Sequence, residues 1–552
     1  MFKLLSFFNE NKQLSDPFAN RKTVTLWLSQ LPSTDTQAVH SMILDALAQL
    51  RNQNQYQQKE HLDAIIALDD YTQPLQEILS EQYLRNARMS TAMEIKLRES
   101  IYNYYSEITN TYFSFINVAV NTHAIVTLGA HFAQICLRVL RNIGHLFKWR
   151  FFHYEQPDEE LWYMLHKVYS IAESAGFHTQ ISSSKGANES TCVSQYVRAL
   201  LLAQIHPSAL QAKQIEMADL WLLKWVHLVE IEKTITSGRH HFYVNLAKPV
   251  GACPVSNQDY PDSCRYWDAS LLLGQLRRTR HSLKKNPQNF QTDSLARLPE
   301  YLKMLDYVEL QWDPNNLGKL RKTPRIAAKK ILHVVHGFSA IRTAVKNSEL
   351  DASTTPEYDA DMKYAEMVDI QLYGFVTAST RNRQQKILHS AKPTMIPYEN
   401  WEAENESAKG YLARSPANKN DWLRLGCLAG VKTADEKNWE IAVVRRLSKA
   451  RNASLHVGME VISQKPSILP LYSLTAVSQN ENATSPLHDT TILALLTSPI
   501  QNGHLTLIIE SVQYAKDRQF EIATGPSRIQ IKLNEVLEKG DSWIYVAASL
   551  IP

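Results

Sequence analysis

Cysteine is scarce in this chain: Cys136, Cys192, Cys253, Cys264 and Cys427 are spread singly over 552 residues. An odd, scattered set excludes a disulfide framework and fits a reducing, cytoplasmic setting. Charge of one sign is also lacking. A net charge of +4 spread over this length has no concentrated basic footprint, so no nucleic-acid partner is expected. Long apolar runs are absent as well. The most apolar stretch, 113–139, is interrupted by Asn117, Asn121, His123 and His131, which are costly in lipid, so no membrane span is expected. The opening "MFKLLSFFNENKQ" turns polar too soon for the apolar core of a secretion signal.

Catalytic signatures are missing too. There is no G-x-x-x-x-G-K-[ST] loop, no G-x-G-x-x-G after a strand, no H-E-x-x-H and no G-x-S-x-G elbow, and nothing motivates an enzyme. Acid pairs such as Asp69 with Asp70 and Glu159 with Glu160 fall in helical patterns, where solvated faces are expected. Cys253 and Cys264, with His240 and His241 before them, have no C-x-x-C partner, so neither a metal nor a cofactor is expected.

What is present is ordinary globular composition, 44% hydrophobic and 21% charged, in a chain too long for one core. The first 240 residues read as helical. In "LPSTDTQAVHSMILDALAQLRN", Ser33 or Thr34 can cap a helix whose Val39, Ile43, Leu44, Leu47 and Leu50 return at helical spacing. Pro74 is placed to break or begin a helix. Loops and a short strand are expected around "HHFYVNLAKPVGACPVSNQDYPDSCRYWD", with helices resuming from about Ala269 to Leu305. After Pro324 the texture becomes β: "KKILHVVHGF", "NWEIAVVRRLS", "LHVGMEVIS", "HLTLIIESVQYA" and "SWIYVAASLIP" are short, rich in Val, Ile and aromatics, and bounded by turn residues.

Two short constellations carry ligand chemistry. In "WEAENESAKG", Asn405 and Ser407 alternate along an extended segment, so an amide and a hydroxyl point the same way and match the polar edge of a purine. Gly410 allows a positive φ or a close approach of ligand or chain. Upstream, "RKTPR" sets Arg321 and Arg325 four apart, two forks suited to phosphate and to the O6 and N7 edge of guanine. Pro324 disfavours helix there, so the pair lies on an extended linker. Trp401 reads as a core or barrel-end aromatic, and His333 with His336 as a strand pair with one side partly solvated.

Arg-x-x-x-Arg ahead of a β-strand, followed by Asn-x-Ser-x-x-Gly, resembles the PilZ domain, a six-stranded barrel that binds the bacterial second messenger cyclic di-GMP. The resemblance implies that Arg321 and Arg325 clamp the phosphates and guanine faces, with Asn405, Ser407 and Gly410 as the barrel-side wall. It covers about a quarter of the chain, from Arg321 to Ser463, and departs from the family pattern in one respect: about eighty residues separate the motifs where a few tens are usual. An insertion over about 348–395 must therefore loop out, or the arginines lie elsewhere.

The fold expected is α+β and multidomain: a helical bundle or stack over 1–240, a mixed loop and helical connector over 241–318, a PilZ-like six-stranded antiparallel β-barrel over 319–464 and a further small β module over 465–552. The function expected is a cyclic di-GMP sensor that rearranges its domains and regulates a protein partner of motility, attachment or envelope machinery through the helical region. The alternative is a ligand-independent scaffold with a degenerate barrel.

Overall fold

A computed structural model describes residues 16–32, 34–52, 59–86, 89–123, 125–182, 189–290, 295–316, 324–353, 376–377, 395–416, 422–450, 454–473, 491–501, 503–524 and 527–551. The chain forms two compact units, Met1–Leu320 and Arg321–Pro552.

The first unit is built from α1 (Arg21–Ser29), α2 (Thr36–Asn52), α3 (Lys59–Arg85), α4 (Thr91–Asn121), α5 (Ala130–Phe151), α6 (Glu159–Ser174), α7 (Cys192–Gln204) and α8 (Ala212–Trp225), with a single turn at Ile125–Leu128. Its amphipathic spacing is realised as burial: Val39, Ile43, Leu47 and Leu50 of α2 all enter one core with Leu62 and Leu68 of α3, Ile101 of α4 and Ile143 of α5. Thr34 does not cap α2, and Ser33 lies outside the described residues. Asp35 takes the role, its carboxylate accepting the Ala38 amide at 3.0 Å. Pro74 does not interrupt α3 but sits inside it. A helix with Leu62, Ile65, Leu68 and Leu79 buried offsets the lost amide bond through packing.

Asp69 overturns the expectation of a solvated acid pair. It is fully buried, it pairs with Arg138, and it accepts hydrogen bonds from the Tyr104 hydroxyl at 2.9 Å and the Tyr112 hydroxyl at 3.1 Å. Asp70 holds the other arm of the same guanidinium at 2.5 Å. A second buried cluster joins Arg198 to both oxygens of Asp219, at 2.6 and 2.7 Å, with Lys148 bridging Asp219 and Glu216 at 2.8 Å each. Burial alone would raise the carboxyl pKa values of Asp69 and Asp219, but the facing cations outweigh it and hold both below the ordinary range.

The expected loop region contains a small sheet, with β1 (Phe242–Asn245) between β2 (Cys253–Pro254) and β3 (Cys264–Trp267). His240 and His241 do not converge there: His240 faces Glu232 at 3.5 Å and His241 faces Asp268 at 3.2 Å. Two further helices follow, α9 (Ser270–Lys285) and α10 (Leu298–Trp312).

The second unit holds two closed barrels. The first comprises β4 (Ile326–His336), β5 (Glu399–Ser407), β6 (Gly410–Ser415), β7 (Leu428–Thr433), β8 (Glu440–Lys449) and β9 (Leu455–Ser463), in the order β4-β5-β6-β9-β8-β7. The expected small β module is itself a closed barrel of β10 (Ser467–Ser473), β11 (Thr491–Leu496), β12 (His504–Glu510), β13 (Gln519–Thr524), β14 (Ser527–Lys539) and β15 (Trp543–Ile551), ordered β10-β11-β12-β15-β14-β13. The two barrels share one strand permutation, and every ladder is antiparallel.

Between β4 and β5 the chain makes α11 (Phe338–Ser353). Phe338, Ile341, Ala344 and Val345 pack against Val335, Leu428, Ile441 and Val443 of the first barrel and against Leu495, Ile508 and Trp543 of the second. One apolar layer thus serves both barrels, and the Trp543 indole N–H donates to the Gly426 carbonyl across it at 3.1 Å. The long separation of the two sequence motifs falls within this connection. Of the expected insertion, 354–375 and 378–394 lie outside the described residues.

Candidate functional site

Strand β4 pairs with β5 in antiparallel register, Ile326 opposite Glu406 and Ala327 opposite Asn405. Arg325 immediately precedes Ile326, so the same register continued by one residue sets it beside Ser407. Eighty positions apart in sequence, the arginine linker and the Asn-x-Ser segment meet at one end of one ladder. Arg325 is exposed there, and Arg321 lies outside the described residues.

The faces of β5 follow from its pleat. Trp401 and Ala403 are buried in the barrel, and a register shift between Ala403 and Asn405 resets the alternation. Beyond the shift Glu406 pairs with Tyr411, whose hydroxyl donates to the inward-facing Glu440 at 2.8 Å. Asn405 and Ser407 therefore take the outer face. Among the described residues the Asn405 side chain has no hydrogen-bond partner, and its amide is available. The Ser407 hydroxyl makes only long contacts, 3.4 Å each, to the Gly410 carbonyl and the Lys409 amide, across a two-residue turn.

Gly410 is required by chain packing. A β-carbon there would lie 2.0 Å from the Met459 carbonyl oxygen on β9, and the residue's φ is +158°, so both uses expected for this glycine, a positive φ and a close approach of chain, are met. Trp401 is fully buried, its indole N–H donating to Glu399 at 2.8 Å, as its reading as a core aromatic requires. His336 stacks on Trp422, and the half-buried His333 lies against Tyr398, their ring centroids 4.3 Å apart in each pair.

The two sides of the barrel wall differ in how their acids are met: on the outer face Glu402 is paired with Arg414 at 2.5 Å and Glu460 with Arg445 at 2.7 Å. The inner mouth at this end of the barrel holds Glu406 and Glu440. Burial, together with Glu436 and Glu406, raises the Glu440 pKa. Lys330 is already engaged there, with both Glu406 oxygens at 2.9 Å. Outside, a row of paired positions runs from Ala327 through Asn405, Leu412 and Gly458 to Arg446. Leu412, Gly458 and Arg446 are invisible to motif reading, because the strand order and register that put them beside Asn405 belong to the closed barrel.

A concavity of about 800 Å³ lies in the helical unit, with Arg138, Arg141, His145, Gln195, Arg198 and Glu232 on its wall. Its buried cations are held by Asp69, Asp70 and Asp219. His145 stacks on Tyr105 with ring centroids 4.6 Å apart, and burial, then Lys148 and Arg198, push its pKa well down, so the ring is neutral. The shifts of Asp69 and Asp219 follow from the cations that pair with them, and that of His145 from burial beside cations.

Among the described residues, no helix is long and apolar enough to cross a membrane and no group of three or more His, Cys, Asp or Glu is placed to hold a metal ion. Two family models match the chain: residues 22–236 match the N-terminal domain of the cyclic-di-GMP receptor FimW, and residues 336–467 match its middle PilZ domain. The PilZ match begins at His336, downstream of Arg321 and Arg325. No curated protein and no solved structure matches.

Proposed function

Because this chain belongs to the FimW family of cyclic-di-GMP receptors, we propose that it binds cyclic di-GMP on the outer face of the first barrel and passes the binding event to a protein partner. Arg321 and Arg325 grip phosphates and guanine faces from the linker side, Asn405 reads a guanine edge, Ser407 adds a hydroxyl and Gly410 holds the turn in place. The observation that supports this reading is the ladder register, Ile326 opposite Glu406 and Ala327 opposite Asn405, which ends one residue short of Arg325 and Ser407. A guanidinium fork suits phosphate bidentately, and an amide with two donors and one acceptor suits the purine edge.

The arginines stand at the first residues of the second unit, which begins at Arg321. Ligand drawn onto them pins the linker against Asn405 and Ser407, and the proposed consequence is a changed domain arrangement read by a partner of the helical unit. The bias requires different affinity for the two arrangements, since equal affinity shifts nothing. A second reading, a ligand-independent scaffold, draws on the position of both arginines upstream of the matched PilZ span.

Calorimetric titration with cyclic di-GMP, with GTP as the control, tests the proposal. Binding at micromolar concentration or tighter that is lost in both Arg325→Ala and Ser407→Ala supports the receptor site. Absence of heat and of thermal shift at high ligand concentration leaves the scaffold reading.

A further inference from the structure

We infer that Arg446 is a further binding residue of the nucleotide site, gripping an anionic or guanine edge from the β8 side of the barrel face; this rests on the reading of that face as the cyclic di-GMP site. Three arginines lie on the described parts of the first barrel's strands. Arg414 pairs with Glu402 at 2.5 Å, and Arg445 pairs with Glu460 at 2.7 Å and with Glu538 at 2.8 Å. Arg446 is exposed and has no ion-pair partner among the described residues.

Its place in the sheet is specific. Asn405 pairs with Leu412, Leu412 with Gly458, and Gly458 with Arg446, so all four lie on the outer face in one row. Three strand spacings, roughly 15 Å, separate Asn405 from Arg446. Gly458 leaves the middle of the row low, and the Arg446 stem lies over it: the position a Gly458 β-carbon would take is 3.1, 3.7 and 3.8 Å from Cβ, Cγ and Cδ. The floor is therefore half-buried Leu412 and the Arg446 stem laid over Gly458, with an amide near one end and a guanidinium at the other.

Arg325 stands at the β4 end of this face and Arg446 at the β8 end. A cyclic dinucleotide carries its two phosphates on opposite sides of its ring, so a cation at each end of the floor meets one anionic side each. The outward faces of Val335, Ile441 and Val443 are covered by α11 and the second barrel. Among the described residues, the face of β5, β6 and β9, with Arg446 at its border, is not part of that covered layer and offers room for a planar ligand.

The test uses the full chain, titrated with cyclic di-GMP. Arg446→Met keeps the stem over Gly458 and removes the charge and the fork, and Arg446→Lys keeps the charge and loses the fork. Expected is an unchanged melting temperature with about tenfold or greater loss of affinity for Arg446→Met, and an intermediate loss for Arg446→Lys. The difference between wild type and Arg446→Met should shrink as salt rises. Wild-type affinity in Arg446→Met, with Ser407→Ala still impaired, overturns the role of Arg446 and leaves the site reading intact. Absence of wild-type binding overturns both.

Discussion

Gly410 and Met459 meet so closely that a β-carbon on the first would stand 2.0 Å from the carbonyl oxygen of the second. That contact is between backbones of β6 and β9, and neither side chain can relieve it. Gly410→Ala is therefore expected to strain the barrel by about 1–3 kcal/mol or more and lower its melting temperature. Ser407→Ala, whose hydroxyl makes only long contacts, should leave stability within about 0.5 kcal/mol. Differential scanning calorimetry of the two variants separates a residue that holds the turn from one proposed to face the ligand.

The helical unit should depend on Asp69 and Arg138 far more than on its surface pairs. Arg138→Met leaves a fully buried carboxylate with Tyr104 and Tyr112 but without its main counter-ion, and an expected cost of about 3–5 kcal/mol. Arg85→Met, which removes an exposed i,i+4 pair with Glu81, should cost about 0.5 kcal/mol or less. Urea denaturation followed by circular dichroism compares the two, and equal costs would show that the buried network adds no stability.

His166 should make the helical unit acid-sensitive. Burial lowers its pKa to about 4, although the hydrogen bond to the Val250 carbonyl works the other way. In the folded chain one ring nitrogen donates to that carbonyl at 3.0 Å and the other accepts from the Tyr196 hydroxyl at 2.8 Å, an arrangement that needs the neutral ring. Between about pH 6.5 and about pH 4 the unfolded chain binds the extra proton, so stability rises with pH across this window. The contribution, about 3 kcal/mol at most, is complete above about pH 6.5 and is lost as the pH falls toward 4. Denaturation midpoints at pH 4.5 and 7 should differ less in His166→Gln than in the wild type.

Arg445 ties the two barrels beside the proposed site. Glu460, its partner on β9, pairs in register with Gly410, and Glu538, its partner on β14, belongs to the second barrel. Arg445→Ala should cost only about 1 kcal/mol globally, because the groups are partly solvated, yet speed amide exchange in β14 near Glu538. Exchange in β14 that is unchanged would mean the shared apolar layer around α11 holds the barrels without this bridge.

Much of this architecture was legible in local pattern. "LHVGMEVIS" is β9 residue for residue, and the spacing of Val39, Ile43, Leu47 and Leu50 is the buried face of α2. Helix α11 escaped notice although Phe338, Ile341, Ala344 and Val345 have helical spacing, because its polar end runs into the Thr-rich stretch read as insertion. Asp69 was misread for a different reason. A carboxylate's burial depends on whether a cation 69 positions away arrives to neutralise it, and no local pattern carries that information.

Local pattern carried most of the elements and the chemical inventory of the proposed site: strands from alternation and β-branched residues, an arginine pair before a strand, an amide and a hydroxyl two residues apart. Tertiary structure alone decided which of these meet. Closing a barrel with the order β4-β5-β6-β9-β8-β7 joins strands distant in the chain, and its register sets Ala327 beside Asn405 and places Arg446 on the same row. Register is a property of paired backbones, fixed by inter-strand hydrogen bonds and by which face each strand can bury, so it exists only once the barrel has closed.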